Sequence, residues 1–131
     1  MGMNYLLDTN IVIYYLQQQF PTSSMLFVDH LLSVSTPGLS VITEIELLCW
    51  RTATPKDIKL LQSFINDSIV YELDKAIKLK TIELRKSFKI KLPDSIIAAT
   101  ALVNNLTLIT RNVLDFKDIQ NLKMQNPWDC A

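Results

Sequence analysis

Four carboxylates, Asp8, Glu46, Asp94 and Asp115, lie at distant points of the sequence, Asp8 at a strand end and Asp94 at a helix start. Gathered in space, such a set suits one kind of chemistry. Two carboxylates ~4 Å apart repel by about 4 kcal/mol at an effective dielectric near 20, so one takes a proton or a cation intervenes. Mg²⁺ takes oxygen ligands at about 2.0–2.1 Å and keeps several waters, so a few carboxylates suffice. A cation so held orients water, assists its deprotonation and offsets charge on a phosphodiester in the transition state. Thr110 and Asn112, in Thr110-Arg-Asn-Val-Leu-Asp-Phe116, add neutral oxygens close to the last acid. No His–Cys cluster competes for a metal. His30 is the only histidine, and Cys49 and Cys130 have neither metal-ligand nor redox spacing.

Each of these residues also has an ordinary role. Asp8 precedes a helical stretch and can cap it. Asp94 follows Pro93 at a helix start, where a carboxylate suits the dipole. Glu46 has Ile42, Thr43, Cys49 and Trp50 as helical neighbours, whereas Glu44 lies among Val41, Leu47 and Leu48. Periodicity does not choose between the two glutamates. Asp115 reads as a surface-loop acid with Phe116 anchoring the loop beneath it. Thr110 and Asn112 suit turn formation and helix capping.

The elements that must position these groups alternate. Asn4 to Asp8 is a short apolar run consistent with a buried strand, followed by a helix over Thr9 to Leu16. A helix entry at Pro21 to Ser24 comes next, then a turn at Thr36-Pro37-Gly38. Leu39 to Ile42 reads as strand, and Thr43 to about Arg51 as helix. Thr54-Pro55 opens a helix to about Asn66, with Pro at its first position. Ile69 to Leu73 carries a strand signal, and Asp74 caps a long helix. Another helix begins near Pro93-Asp94, with Ala98 and Ala99 letting it lie close to the sheet. Leu106 to Thr110 reads as strand, and Leu122 to Gln125 as a last, short one. Strands alternating with helices indicate an α/β domain whose mostly parallel sheet is covered on both faces. Ligands of such folds gather outside the carboxyl ends of the strands, where Asp8 and Thr110 both fall.

A length of 131 residues suits one domain, with 49% hydrophobic and 20% charged residues pointing to an ordinary globular core. With only Gly2 and Gly38, no glycine-rich phosphate loop exists. No apolar stretch is long enough to span a bilayer. The start lacks the basic region and cleavage site of a signal peptide, which together with two unpatterned cysteines points to the cytoplasm. A formal net charge of zero argues against purely electrostatic nucleic-acid binding. Charge is nevertheless uneven: residues 1–50 hold four acids and no Lys or Arg, whereas residues 75–91 hold seven basic residues against Glu83. That basic run is either a solvated helix face or a phosphate-facing rim beside an acidic site.

Four stretches, taken in order, resemble PIN-domain proteins of the VapC toxin ribonuclease type. They are Tyr5 to Ile11 (YLLDTNI), Ser40 to Leu48 (SVITEIELL), Leu92 to Leu102 (LPDSIIAATAL) and Leu106 to Phe116 (LTLITRNVLDF). The ending, Asn121 to Trp128, resembles the family's closing strand and tail. The resemblance spans nearly the whole chain and implies a single PIN domain over residues 1–131, a three-layer α/β fold with helices flanking a mostly parallel sheet. It implies Asp8 and Asp94 as direct ligands of Mg²⁺ or Mn²⁺, with Glu46, in preference to Glu44, and Asp115 completing the site directly or through water. Thr110 and Asn112 match supporting positions. The family often has Gly where this chain has Trp50. The implied activity is RNA cleavage by metal-activated water, the implied partners a VapB-type antitoxin over the active site and a second copy of the chain in a homodimer. Exposed apolar residues on the early helices would serve these contacts, or else belong to the core. Two other readings stand beside it. One is a non-catalytic RNA-binding or regulatory module on the same fold. The other is a phosphohydrolase of the haloacid-dehalogenase type with Asp8 as nucleophile, although that pattern wants a second Asp where Asn10 stands.

Overall fold

The computed structural model describes residues 4–129. Strand β1 (Tyr5–Leu7) leads into α1 (Thr9–Leu16) and α2 (Thr22–Val34); β2 (Gly38–Ser40) leads into α3 (Val41–Leu48) and α4 (Pro55–Asn66). Strand β3 (Ile69–Tyr71) is followed by α5 (Lys75–Ser87) and α6 (Leu92–Val103), and β4 (Thr107–Ile109) by the short α7 (Val113–Phe116). The chain then forms β5 (Met124–Gln125) and a 3₁₀ turn at Pro127–Asp129.

All five strands are parallel, in the order β3-β2-β1-β4-β5. The centre pairs β1 with β4 in the register Tyr5↔Thr107, Leu6↔Leu108 and Leu7↔Ile109. Side chains of a strand alternate between faces, and both central strands feed two cores. Leu6 and Leu108 pack with Ile77, Leu84, Ile97 and Phe116 on the side of α5, α6 and α7. Tyr5, Leu7 and Ile109 pack with Ile11, Val28 and Leu61 on the side of α1, α2 and α4. The result is the three-layer α/β arrangement the resemblance implies.

Local chemistry explains most boundaries. Thr54 accepts from the Asp57 N–H while Asp57 returns a bond to the Thr54 N–H, a capping box with Pro55 at the first helical position. Asp74 accepts from the Ile77 N–H and starts α5. Helix α6 is buried without interruption from Ser95 to Ala101, so it is apolar nearly all round. The hydroxyl of its buried Thr100 donates to the Ile96 carbonyl. Ala98 and Ala99 are fully buried, as close packing of this helix requires.

Three sequence expectations change. Helix α3 begins at Val41, not Thr43, because Ser40 caps it by accepting from the Ile42 N–H, and it ends at Leu48. Asp115 lies in a helical turn instead of a loop, with Phe116 buried beneath as expected. Gly38 opens β2 and is no turn glycine. A Cβ there would stand 2.8 Å from the Tyr5 carbonyl oxygen and 3.0 Å from Tyr71 Cε2, so glycine permits close approach of β2 to β1. Trp50, where the family often has Gly, lies half-buried against the core on the side of α1 and α4.

Candidate metal centre

Asp8 directly follows β1 and is only 7% exposed. Its Oδ1 accepts from the Thr9 N–H at 2.8 Å, which caps α1, and its Oδ2 accepts from Thr110 Oγ1 at 2.8 Å. The ordinary role and the candidate one therefore coincide in a single carboxylate. Thr110 follows β4 and is fully buried; its hydroxyl also accepts from the Asn112 N–H at 3.0 Å. Asn112 enters through its backbone, and its side chain makes no capping bond to α7. Parallel pairing of β1 with β4 is what lets residues 102 positions apart meet here.

Glu46 is exposed on α3, and its Oε1 accepts from Thr9 Oγ1 at 2.6 Å. The same Thr9 hydroxyl lies 3.1 Å from that of buried Thr43. This contact ties Glu46 to the residue after Asp8, a distinction between Glu46 and Glu44 that helical periodicity does not contain. Thr9 and Thr43 are contacts of the candidate site that sequence reasoning did not single out; for Thr9, its place directly after the strand-end acid was the available signal. Asp94 is partly buried in the first turn of α6, and Asp115 is exposed on α7.

Asp8 and Asp94 sense the other acids. Burial pushes the Asp8 carboxyl above its ordinary range, with Glu46 and Asp115 adding to the rise and bonds from Thr110 and Thr9 opposing it. Burial also raises Asp94, reinforced by Asp8, Asp115 and Glu46 and opposed by Lys91 alone. The region is short of positive charge. Among the described residues no three His, Cys, Asp or Glu side chains already form a metal-ligand group. The side chains here offer carboxylate and hydroxyl oxygens and no sulfur or imidazole, a donor chemistry that suits a hard cation keeping part of its water shell. His30 is exposed and Cys49 lies exposed at the end of α3, both away from this role, while Cys130 lies outside the described residues.

A carboxyl whose folded pKa is raised contributes stability below its unfolded pKa and loses it as pH rises through the folded value. Asp8 and Asp94 both shift this way. In chelator, their part of the stability should therefore decline as pH rises from their ordinary value of 3.8 toward neutrality. Thermal unfolding across that range should show a downward drift that the Asp8→Asn Asp94→Asn double variant flattens. An equally steep drift in the double variant would assign the effect to other groups.

The basic run lies along α5 and the segment joining it to α6. Most of its side chains are exposed, Lys80 pairs with Glu83 at 3.0 Å, and Arg85 Nη1 donates to the Ile90 carbonyl. Lys91 faces Asp94 closely enough to oppose its rise.

A parallel sheet whose central strand ends in a buried aspartate, with three more acids within electrostatic reach, defines an α/β domain with an acidic site at the carboxyl edge. Residues 5–122 match the PIN domain. Ribonuclease VapC2 of Rickettsia felis is 30% identical over 135 residues, covering 97% of this chain and 99% of the relative. The chain belongs to the PIN-domain family, in its VapC branch. The structure of VapBC-1 from nontypeable Haemophilus influenzae superposes with a TM-score of 0.79 at 30% identity, over 96% of this chain and 99% of that one. VapBC2 from Rickettsia felis, bound to a DNA fragment from its promoter, gives 0.75 at 28% identity, over 95% of this chain and 98% of the other. Membership removes the haloacid-dehalogenase reading, whose second acid position holds exposed Asn10. Among the described residues, no helix is long and apolar enough to cross a membrane.

Proposed function

We propose that this chain is a metal-dependent endoribonuclease, the toxin of a toxin–antitoxin pair, folded as one PIN domain over residues 1–131. The observation that carries the reading is the buried, proton-favouring Asp8 at the centre of a carboxyl-edge acid set, in a chain related to a VapC ribonuclease. Asp8 and Asp94 would hold Mg²⁺ or Mn²⁺ directly, with Glu46 and Asp115 binding directly or through water. The bound cation supplies a water of lowered pKa and positive charge opposite the phosphodiester. The protein's own part is orientation. Thr110 fixes the Asp8 carboxylate through Oδ2, the Asn112 N–H fixes Thr110, and Thr9 fixes Glu46. Such supports commonly matter to metal affinity as well as the ligands do.

The solved VapBC relatives support a VapB-type antitoxin as the partner of this chain; seated over the acids, it would suppress cleavage. Exposed apolar side chains on the early helices, Leu26 on α2 and Leu60 on α4, suit such contacts or those of a homodimer. A cytoplasmic location follows from this reading. A non-catalytic module would have little use for four mutually repelling acids.

The test is direct. Purified protein should cleave single-stranded RNA in Mg²⁺ or Mn²⁺, stop when a chelator is added, and resume when Mn²⁺ is restored. Cleavage that continues in excess chelator would defeat the metal-dependent reading.

A further inference from the structure

Arg111 directly follows Thr110, the residue bonded to Asp8, yet its charge does not answer the acids. Its guanidinium carbon lies 4.3 Å from the centre of the Trp128 ring and 5.9 Å from that of Tyr14. One Nη1 makes a long contact of 3.4 Å to the Tyr14 hydroxyl. Among the described residues Lys80 and Glu83 form an ion pair, and Arg111 forms none.

The aromatic support is itself braced. Trp128 meets Phe20 at 4.8 Å and Tyr14 at 5.2 Å, and Tyr14 meets Phe20 at 5.9 Å. These rings bind the tail's 3₁₀ turn to α1 and to the α1–α2 connection. A guanidinium held by its face keeps its in-plane N–H edge available, and that edge matches the paired oxygens of a phosphate. An unsupported arginine one residue from Thr110, which bonds Asp8, would be free to turn toward the acids. The stack prevents this and presents an exposed, oriented cation beside the carboxyl edge.

We propose that Arg111, held on Trp128 and Tyr14, grips a backbone phosphate of the RNA strand next to the one that faces the acids. Arg111 touches the substrate in this assignment, and Trp128 is a positioning residue acting through it. The inference rests on the ribonuclease reading for its substrate.

Binding of a short labelled single-stranded RNA, followed by anisotropy in chelator across a salt series, tests it. Arg111→Gln should weaken binding about tenfold and reduce the slope of log affinity against log salt by about 0.7. Arg111→Lys should restore the slope and only part of the affinity, since the charge remains and the fork is lost. Trp128→Phe should lie between native and Arg111→Gln. The Mn²⁺-induced rise in melting temperature should be the same in the native chain and in Arg111→Gln. An unchanged slope in Arg111→Gln overturns the proposal, and a lowered melting temperature with that unchanged slope would show that Arg111 merely pins the tail. Failure of native protein to bind the RNA also overturns it. If the native chain cuts RNA and the slope is unchanged, the grip falls and the ribonuclease reading stands. If the slope responds but no cleavage occurs, the reverse holds.

Discussion

Asp8→Asn is expected to leave a folded protein that cleaves RNA about a thousandfold more slowly, the loss that follows from several kcal/mol of missing charge stabilisation. The substitution conserves shape. An asparagine oxygen can still accept from the Thr9 N–H, and its amide can donate to Thr110 Oγ1, which has a second lone pair beside the one facing the Asn112 N–H. Removing a buried carboxyl whose ionised form is disfavoured should, if anything, raise the stability of the metal-free chain. Native protein should melt higher in Mg²⁺ than in chelator, because the ion binds the folded chain; the Asp8→Asn Asp94→Asn double variant should show no such gap. Cleavage by Asp8→Asn at the native rate would point to a contaminating nuclease and remove the assignment.

Gly38→Val should produce the largest loss of stability without touching any acid. Its Cβ would stand 2.8 Å from the Tyr5 carbonyl oxygen. That oxygen belongs to β1, which is paired with β2 on one side and β4 on the other, so it has little room to retreat. Overpacking of this kind costs about 1–3 kcal/mol or more. Relief of glycine's backbone entropy returns only about 0.5–1 kcal/mol. A net loss of about 1–2 kcal/mol should lower the melting temperature by roughly 3–12 °C. Because Asp8 extends directly from β1, the same variant should also weaken metal-induced stabilisation. A native melting temperature would mean that β2 can move away from β1 at little cost.

The strongest sequence signals were local ones. Thr54-Pro55 with Asp57, and Asp74 before α5, name their own helix starts, because capping chemistry is written within a few residues. The alternation of strands and helices was enough to indicate parallel layers. Val41 and Ile42 misled as strand because both are β-branched, while the Ser40 cap behind them begins a helix. Helix α7 spans four residues and lacks a side-chain cap, so neither periodicity nor a start signal marks it. Gly38 looked like a turn glycine because the crowding that demands it comes from Tyr5 and Tyr71, far away in sequence. The site divides the same way. Asp8 and Asp94 were visible as strand-end and helix-start acids. Glu46 emerged from family resemblance, since its distinction from Glu44 is a contact to Thr9 across 37 residues. Arg111 lies within a stretch that carries the family resemblance, but its contact with Trp128 joins positions 17 residues apart and no local pattern foretells it.

The central pairing of β1 with β4 also fixes when the acid set can exist. Chains are made from the amino end, so Asp8 emerges first and Asp115 last. Until β4 has left the ribosome, β1 lacks the partner that seats Asp8 against Thr110, and a chain ending before residue 94 holds only two of the four acids. Closing so distant a contact carries the entropic cost of a long loop. The acid set is thus completed only late in synthesis, with β5 and the 3₁₀ turn alone still to come, and nascent fragments carry its parts without its arrangement.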